Sequence, residues 1–531
     1  MQLEIINRMM NLKYYFFIPF VVCLHLGVFA QPKNVLFIAI DDLKPMLGSY
    51  GYEKAITPNI DNLANAGTVF LNAHCQQALC GPSRVSVLTG LYPDTTGIYG
   101  MQYKMRQIHP NILTLPQYFK NMGYVTIGTG KIFDPRNVED DWNGPQDKIS
   151  WTKFFGKNPY NTLVGGPIYG GHYHDSNLKE LSLTLEEEGR EKGLRGKELR
   201  FYVRDHGGGP ATEAIEIPDD AYKDGAIANR GIQQLEHLKD AKQPFFLALG
   251  FLKPHLPFVA PKKYWDLYDR DSLDLATIQN YPKGAPSFAE TDYIEARGYS
   301  GVPKQGAISE STQRELMHGY LACISYIDAQ IGKVLDKLRE TGLYDNTVIV
   351  LWGDHGFHLG DKQIWGKHTN YEEATRCPLI FANTGRPKGE SNQPVNLIDI
   401  FPTLCEVAGI QIPEGLDGES LMPIIRNPWI KTHDFAASIY PRSGYYGVAI
   451  RTERYRFVGW YRGWKKEGRN GVELAESPSV CELYDYNVDQ PEKSNLVDDP
   501  KYSKVAKELY SFLDTHVRYT QKKQLTLNHY E

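Results

Sequence analysis

"VLFIAIDD", residues 35–42, is an unbroken apolar run closed by two aspartates. A run without polar alternation fits a strand buried on both faces, as in a parallel sheet covered by helices on either side. The pattern recurs. "FFLAL" at 245–249 leads to Lys253 and His255, and "TVIVLW" at 347–352 leads to Asp354 and His355. Helical patterns separate these runs. Thr57 and Pro58 read as a cap and a first turn, and a longer helix is expected over 318–341. Strands alternating with helices predict an α/β fold with a doubly wound sheet flanked by helices. Ligands of such sheets gather beyond the carboxyl ends of the strands, where all of these polar clusters fall.

The rest of the chain sets bounds on that core. Its 531 residues are 42% hydrophobic and 23% charged, which gives room for one large folded domain and a smaller one. A net charge of −5 argues against a general nucleic-acid binder, so an anionic ligand would have to be met by a few local cations. Lys13 precedes an apolar stretch at 14–29 and Ala30 offers a small residue for cleavage, so residues 1–30 are expected to be a signal peptide and the protein to be exported, periplasmic or secreted. No other segment is long and apolar enough for stable membrane insertion. Beyond it, Cys75, Cys80, Cys323, Cys377, Cys405 and Cys481 are too few for a disulfide scaffold. Residues 170–210 are polar and glycine-rich and read as an insertion or long loop, a candidate lid. After about residue 431 the pattern changes. Residues 448–451 and 455–458 suggest a hairpin, and a terminal helix is expected from Ser503. The expected boundaries are a main domain at 31–435 and a C-terminal antiparallel-sheet subdomain at 436–531.

Several residues carry chemistry. Asp41 and Asp42 alone would more often make a turn or a cap than a metal site. With Asp354 and His355 at another strand end, the set suits a hard divalent cation, Ca²⁺ or Mg²⁺. A zinc thiolate at Cys80 does not fit, because no second cysteine lies at ligand spacing. In "CGPSR", 80–84, Pro82 suits the first turn of a helix running to Thr89. Cys80 then sits at a helix N-terminus that favours an anion, with Arg84 one turn on. The plain alternative is a small buried side chain. Lys131 follows Gly128-Thr129-Gly130 and offers a second cation, but not a Walker loop, since the glycine spacing fails and Ile132 stands where Ser or Thr is required. His255 and Lys367 could act on a ligand or only pack and solvate. Lys253 and His358 are weaker candidates for substrate contact, and Arg451 fits a structural role in the C-terminal hairpin equally well.

These residues carry a resemblance. Residues 80–90 are similar to the first signature of type I sulfatases, C-x-P-S-R-x-x-x-L-T-G, and 123–131 to the second, G-Y-x-T-x-x-x-G-K. "FLKPHLPF" and "DHGFHLGDKQIWGKHTNYEEATRCPL" resemble the iduronate-2-sulfatase type within that family. The resemblance implies an alkaline-phosphatase-like mixed sheet flanked by helices, with a smaller C-terminal α+β domain. It implies hydrolysis of sulfate esters on a sulfated polysaccharide or its oligosaccharides, of ulvan or glycosaminoglycan type, containing uronic acid or rhamnose. In such enzymes a maturase oxidises the cysteine, here Cys80, to formylglycine. The hydrated aldehyde attacks sulfur, expels the alcohol and then releases sulfate. By the same resemblance Asp41, Asp42, Asp354, His355 and residue 80 would hold one calcium ion. Arg84 and Lys131 would stabilise the nucleophile and the sulfate, Lys367 would bind sulfate, and His255 would protonate the leaving oxygen.

One position departs from the pattern: Asp134 stands where a histidine that assists sulfate release is expected. Asp134 either serves as that base, with a raised pKa, or caps a turn before Pro135 while another residue such as His109 takes the role. Two rival functions are a phosphodiesterase or phosphonate hydrolase of the same superfamily and a non-catalytic binder of sulfated glycans. The complete metal set and both signatures argue against the second of these.

Overall fold

The computed structural model describes residues 33–138, 144–156, 173–291, 293–386, 388–463, 476–488 and 492–529, so the expected signal peptide lies outside the described residues. In chain order, the strands of the main sheet are β1 (Asn34–Ile40), β2 (Gly67–Phe70), β3 (Val125–Gly130), β4 (Lys153–Phe155), β5 (Phe245–Phe251), β6 (Thr347–Gly353), β7 (Leu379–Ala382) and β8 (Gly389–Ser391). The principal helices are α1 (Pro58–Asn65), α2 (Cys80–Thr89), α3 (Ser176–Glu191), α4 (Gly196–Asp205), α5 (Lys223–Leu238), α6 (Glu310–Glu340), α7 (Ile400–Ala408) and α8 (Ser503–His529).

The three apolar runs are neighbours. The 8-stranded sheet has the order β8-β2-β7-β6-β1-β5-β3-β4. β1 is parallel to β5 and β6, β3 is parallel to β4 and β5, and β7 runs antiparallel to its neighbours, so the sheet is mixed. A strand sends successive side chains to opposite faces. Leu36, Ile38 and Ile40 accordingly enter a core with Leu247, Leu249, Ile349 and Leu351, under α1, α5 and α6. Val35, Phe37 and Ala39 enter a second core with Phe246, Val348 and Trp352, under α2 and α7. Both faces are dry, which is why the runs do not alternate. Each fully buried Leu, Ile or Phe side chain stabilises the fold by about 1.5–3 kcal/mol.

Three local expectations change. α6 begins at Glu310 rather than at His318, because Ser309 caps it by accepting the Thr312 N–H at 3.2 Å. Thr57 does not cap α1; its hydroxyl donates to Asp61, while Asp328 of α6 accepts the Asn59 and Ile60 N–H groups at 3.1 and 2.8 Å. The 170–210 stretch, from residue 173 onward, is no long loop. α3 and α4 form a helical pair closed by Leu185, Leu199 and Val203, and Asp175 caps α3 by accepting the Leu178 N–H.

The C-terminal strands are β9 (Ala436–Arg442), β10 (Tyr445–Arg451), β11 (Tyr455–Arg462) and β12 (Val480–Asp485). They form a 4-stranded antiparallel sheet, and the expected hairpin is its central pair, β10 and β11. Leu509, Leu513 and Val517 of α8 pack on Ile439, Val448, Ile450 and Phe457. Lys33–Glu531 clusters as one compact unit. β9 is tied to the segment before α2 by Ile439 N–H to the Gln76 carbonyl at 2.7 Å and Ser438 Oγ to the Cys75 carbonyl at 2.5 Å. Among the described residues no helix is long and apolar enough to cross a membrane.

Candidate active site

Register brings the polar tails together. Ile40 lies opposite Phe251 on one side and Gly353 on the other, and Gly130 lies opposite Gly250. The carboxyl ends of β6, β1, β5 and β3 therefore release Asp354 and His355, Asp41 and Asp42, Lys253 and His255, and Lys131 and Asp134 along one edge. The β3–β5 approach needs glycine. A Cβ on Gly130, which has φ +80°, would meet the Gly250 carbonyl at 2.1 Å, and one on Gly250 would meet the Lys131 carbonyl at 2.1 Å.

α2 delivers Cys80 to this edge at its first turn, and the side chain is 1% exposed. Its Sγ lies 3.2 Å from His355 Nε2 and 3.8 Å from Asp42 Oδ1. His355 Nδ1–H donates to the Gly356 carbonyl at 2.9 Å, which turns Nε2 towards Cys80 and Asp42. Burial pushes the Cys80 thiol well above its usual pKa, against the pull of Lys131 and Lys367. All six of the described cysteines are free.

Arg84, one turn along α2, is wholly buried. Its Nε donates to Asp354 Oδ2 at 2.8 Å and its Nη2 to Asp41 Oδ1 at 3.1 Å, while Nη1 donates to the Lys131 and Ile132 carbonyls. Lys131 Nζ lies 2.8 Å from both oxygens of Asp41, and Lys367 Nζ lies 2.7 Å from both oxygens of Asp42. Burial alone would raise the Asp41 carboxyl, but the Lys131 ammonium and the Arg84 guanidinium outweigh it and hold the group well below the usual carboxylate range. Asp41, Asp42 and Asp354 thus face Arg84, Lys131 and Lys367, a charge balance that permits burial of the whole cluster. Asp42 sits at φ +60°, which an aspartate tolerates. The Asp42 N–H donates to Asp354 Oδ1 at 3.0 Å, and Tyr320 donates to the Asp42 carbonyl at 2.8 Å.

This donor set fits a hard divalent cation. Ligand atoms of Asp41, Asp42, Cys80 and His255 lie within 4.8 Å of one another, as do those of Cys80, Asp354 and His355. Carboxylate oxygens dominate, with one imidazole nitrogen from His355, and no thiolate cage is present among the described residues. His255 is the accessible member, its side chain 25% exposed. Its Nδ1–H donates to the Leu256 carbonyl at 2.7 Å, and its Nε2 faces Asp42 at 3.9 Å and Glu295 at 3.5 Å. Nε2 thus faces the acidic cluster from the half-buried side of the site.

Other expectations are relocated. Lys253 Nζ donates to the carbonyls of His255 and Pro257 at 2.6 and 2.7 Å, so it braces the His255 turn. His358 bonds Asp361 and, at 2.8 Å, Thr369, so it holds the Lys367 loop. Arg451 pairs with Glu372 at 2.9 Å, the structural role it was allowed. His109 bonds the Thr96 carbonyl at 2.8 Å. Two residues at this edge escaped the sequence reading: Glu295, whose Oε2 lies 3.2 Å from Lys367 Nζ, and Arg136. Burial would raise Glu295, but Lys367 and His255 hold it down at about 2.

Of the two roles open to Asp134, base and turn cap, the geometry favours the cap. Asp134 is buried and accepts Arg136 Nε and Nη2 at 2.8 and 2.7 Å and the Arg136 N–H at 3.1 Å, with Lys131 Nζ at 3.4 Å. Burial would raise its pKa, but Lys131 and Arg136 outweigh that and hold it below the usual carboxylate range, which favours the turn-capping role over the base role. It caps the turn at Pro135–Val138 and anchors two cations. Asp134→Asn should destabilise the fold by about 1–3 kcal/mol at neutral pH. A carboxylate with a lowered folded pKa stabilises above its unfolded pKa, about 4, and loses that contribution as pH falls through the folded value. The difference between variant and parent should therefore shrink below about pH 4 in urea titrations. No sulfated residue 80 should accumulate in peptide mass spectra of the variant, whereas a trapped adduct would restore the base role.

A family model described as Sulfatase matches residues 33–410, and one described as N-sulphoglucosamine sulphohydrolase, C-terminal, matches residues 360–518. A protein of Formosa agariphila named sulfatase is 33% identical over 443 residues, covering 81% of this chain and 79% of its own. Iduronate 2-sulfatase of Homo sapiens is 34% identical over 433 residues, covering 74% and 73%. A solved structure of a protein in complex with its substrate D-glucosamine-2-N,6-O-disulfate shares the fold, with a TM-score of 0.69 at 19% identity over 93% of this chain and 98% of that one.

Proposed function

This chain belongs to the sulfatase family and has its alkaline-phosphatase-like fold, and we propose that it hydrolyses sulfate esters on a sulfated polysaccharide or its oligosaccharides, of ulvan or glycosaminoglycan type, through a formylglycine made from Cys80. The observation that carries this reading is the place of Cys80. It stands at the first turn of α2, 3.2 Å from His355 Nε2, ringed by the carboxylates of Asp41, Asp42 and Asp354 and by the cations of Arg84, Lys131 and Lys367.

When present, formylglycine supplies a hydrated aldehyde, an oxygen nucleophile that is regenerated after each turnover. One calcium ion, held by Asp41, Asp42, Asp354, His355 and residue 80, would supply positive charge next to that nucleophile. The chain's own residues do the rest. Arg84 and Lys131 fix cations around residue 80, and Lys367 meets the nonbridging oxygens of the sulfate. These groups are already oriented and dry, so they gain strength where charge develops. A sugar alkoxide leaves poorly. His255 Nε2, the exposed edge of the site, gives it a proton, a contribution of about 10²- to 10⁴-fold.

The carbohydrate reading draws on the relatives: one acts, by its name, on iduronate 2-sulfate, and the fold neighbour was solved with a sulfated glucosamine. The leader-like stretch supports an exported enzyme, periplasmic or secreted, matured by a formylglycine-generating partner.

The reading is tested by incubating purified enzyme with sulfated and phosphorylated oligosaccharides and measuring the anion released. Phosphate or phosphonate release without sulfate would overturn it. Removing the cation provides a second check. Rigorous chelation should reduce turnover at least about 10³-fold and lower the urea midpoint, because Asp41, Asp42 and Asp354 lose a counterion, and added calcium should restore both. Full activity in metal-free enzyme would contradict the assignment.

A further inference from the structure

We propose that Glu295 is a positioning residue that sets the leaving-group acid, His255, against the sulfate-binding Lys367. The inference rests on the roles given to those two residues above and adds the group that couples them.

Glu295 comes from a short 3-10 turn, Glu295–Gly298, far in sequence from every motif. Its carboxylate is a bridge: Oε1 lies 3.5 Å from His255 Nε2 and Oε2 lies 3.2 Å from Lys367 Nζ. The side chain is 13% exposed. Asp42, the other carboxylate near both cations, already belongs to the metal-binding group. Glu295 is outside that group, so its charge remains for Lys367 and the His255 ring when the metal site is filled.

The surroundings hold the bridge in place. The backbone on either side is pinned by the Arg297 N–H to the Ile294 carbonyl at 3.0 Å and by Arg297 Nη1 and Nη2 to the carbonyls of Pro303 and Gly306 at 2.5 and 2.6 Å. Ala296 beside it is fully buried. Gly366, immediately before Lys367, leaves room for the contact. A Cβ there would come within 3.2 Å of Glu295 Cβ and 3.3 Å of its backbone nitrogen. Arg442 joins the two segments from β9, donating from Nη1 to the Ala289 carbonyl at 2.6 Å and from Nη2 to the His368 carbonyl. β9 is thus fastened both to the stretch before Glu295 and to the residue after Lys367.

The chemistry explains why a bridge is useful. His255 acts on the bridging oxygen of the ester and Lys367 on the nonbridging oxygens of the same sulfate. Their separation must match the ester, and errors near 1 Å cost about 10²-fold. A shared counterion fixes that separation before the substrate arrives. It also keeps Nε2 turned to the mouth of the site, since Nδ1–H is committed to Leu256.

The test separates acid positioning from simple structure by varying the leaving group. An aryl sulfate such as 4-nitrophenyl sulfate expels a stable anion and needs little proton transfer, whereas a carbohydrate sulfate needs it fully. For Glu295→Gln, kcat on the carbohydrate sulfate should fall roughly 10- to 100-fold with KM little changed. That fall should exceed the fall on the aryl sulfate about tenfold or more, and Glu295→Asp should recover part of it. A rise in KM with kcat kept would make Glu295 a sugar-binding residue and overturn the proposal. Equal losses on both esters, or a matching loss of thermal stability, would make it merely structural and overturn it too. If the parent enzyme released sulfate from neither ester, the function proposed above would fail together with this inference, a result distinct from a variant that loses both activities in proportion.

Discussion

Cys80→Ala should leave a folded protein that releases no measurable sulfate, a loss of at least about 10⁴-fold in kcat. The structural cost is small. The side chain is 1% exposed, and its polar contacts run to His355 at 3.2 Å and Asp42 at 3.8 Å, both through a weakly bonding sulfur. In the unmodified chain burial holds the thiol well above its usual pKa, so alanine replaces a weakly bonding group there. Removing one buried sulfur should cost about 1 kcal/mol, visible as a small shift in the urea midpoint. The kinetic loss would then not be explained by unfolding. In the parent protein, matured in a host with the modifying enzyme, peptide mass spectrometry should find the aldehyde at residue 80. A fully active parent with an unmodified thiol at that position would end the formylglycine reading, since the buried thiol is itself a poor nucleophile.

The same residues show how far the sequence could be read. The strands at 34–40, 245–251 and 347–353 were legible because both of their faces are buried, which suppresses alternation and leaves an unmistakable apolar run. Their polar endings were legible for the same reason: chemistry at the carboxyl edge interrupts the run abruptly. The helix at Cys80 could be read from Pro82 in its first turn. The α3–α4 pair could not. Its stripe is thin, with Leu185, Leu199 and Val203 buried and Leu194 and Tyr202 packed beside them, and charged residues mask the period. The outer strands β2, β4 and β8 are short, so their order in the sheet depends on tertiary pairing rather than on pattern. Asp134 was visible as a departure, but its fate depended on Arg136 turning back to grip both oxygens, a fact of geometry. Glu295 had no signal at all. It lies in a 3-10 turn without periodicity and reaches the site only because Gly366 and Arg442 bring two distant segments together.

Arg84→Ala should damage the fold and the site at once, since it removes charge balance and catalysis together. The guanidinium is fully buried and serves four acceptors: Asp354 at 2.8 Å, Asp41 at 3.1 Å, the Ile132 carbonyl at 3.1 Å and the Lys131 carbonyl. It also lies over the Trp352 ring, 5.7 Å from the centroid. Alanine leaves Asp41 and Asp354 without the cation that faces both of them, and the carbonyls without a donor. Breaking a buried pair by removing one partner costs about 3–5 kcal/mol, and the urea midpoint should fall accordingly. Turnover should fall at least about 10³-fold, because residue 80 loses the fixed cation nearest to it along the helix. Arg84→Lys separates the two effects. Lysine keeps the charge but lacks the planar fork that reaches the carboxylates and carbonyls at once, so much of the stability should return while turnover stays far below the parent. A lysine variant with parental kcat would show that any positive charge suffices here. An alanine variant with parental stability would show that Asp41 and Asp354 are balanced without Arg84, and the account of the buried cluster as three carboxylates against three cations would have to be abandoned.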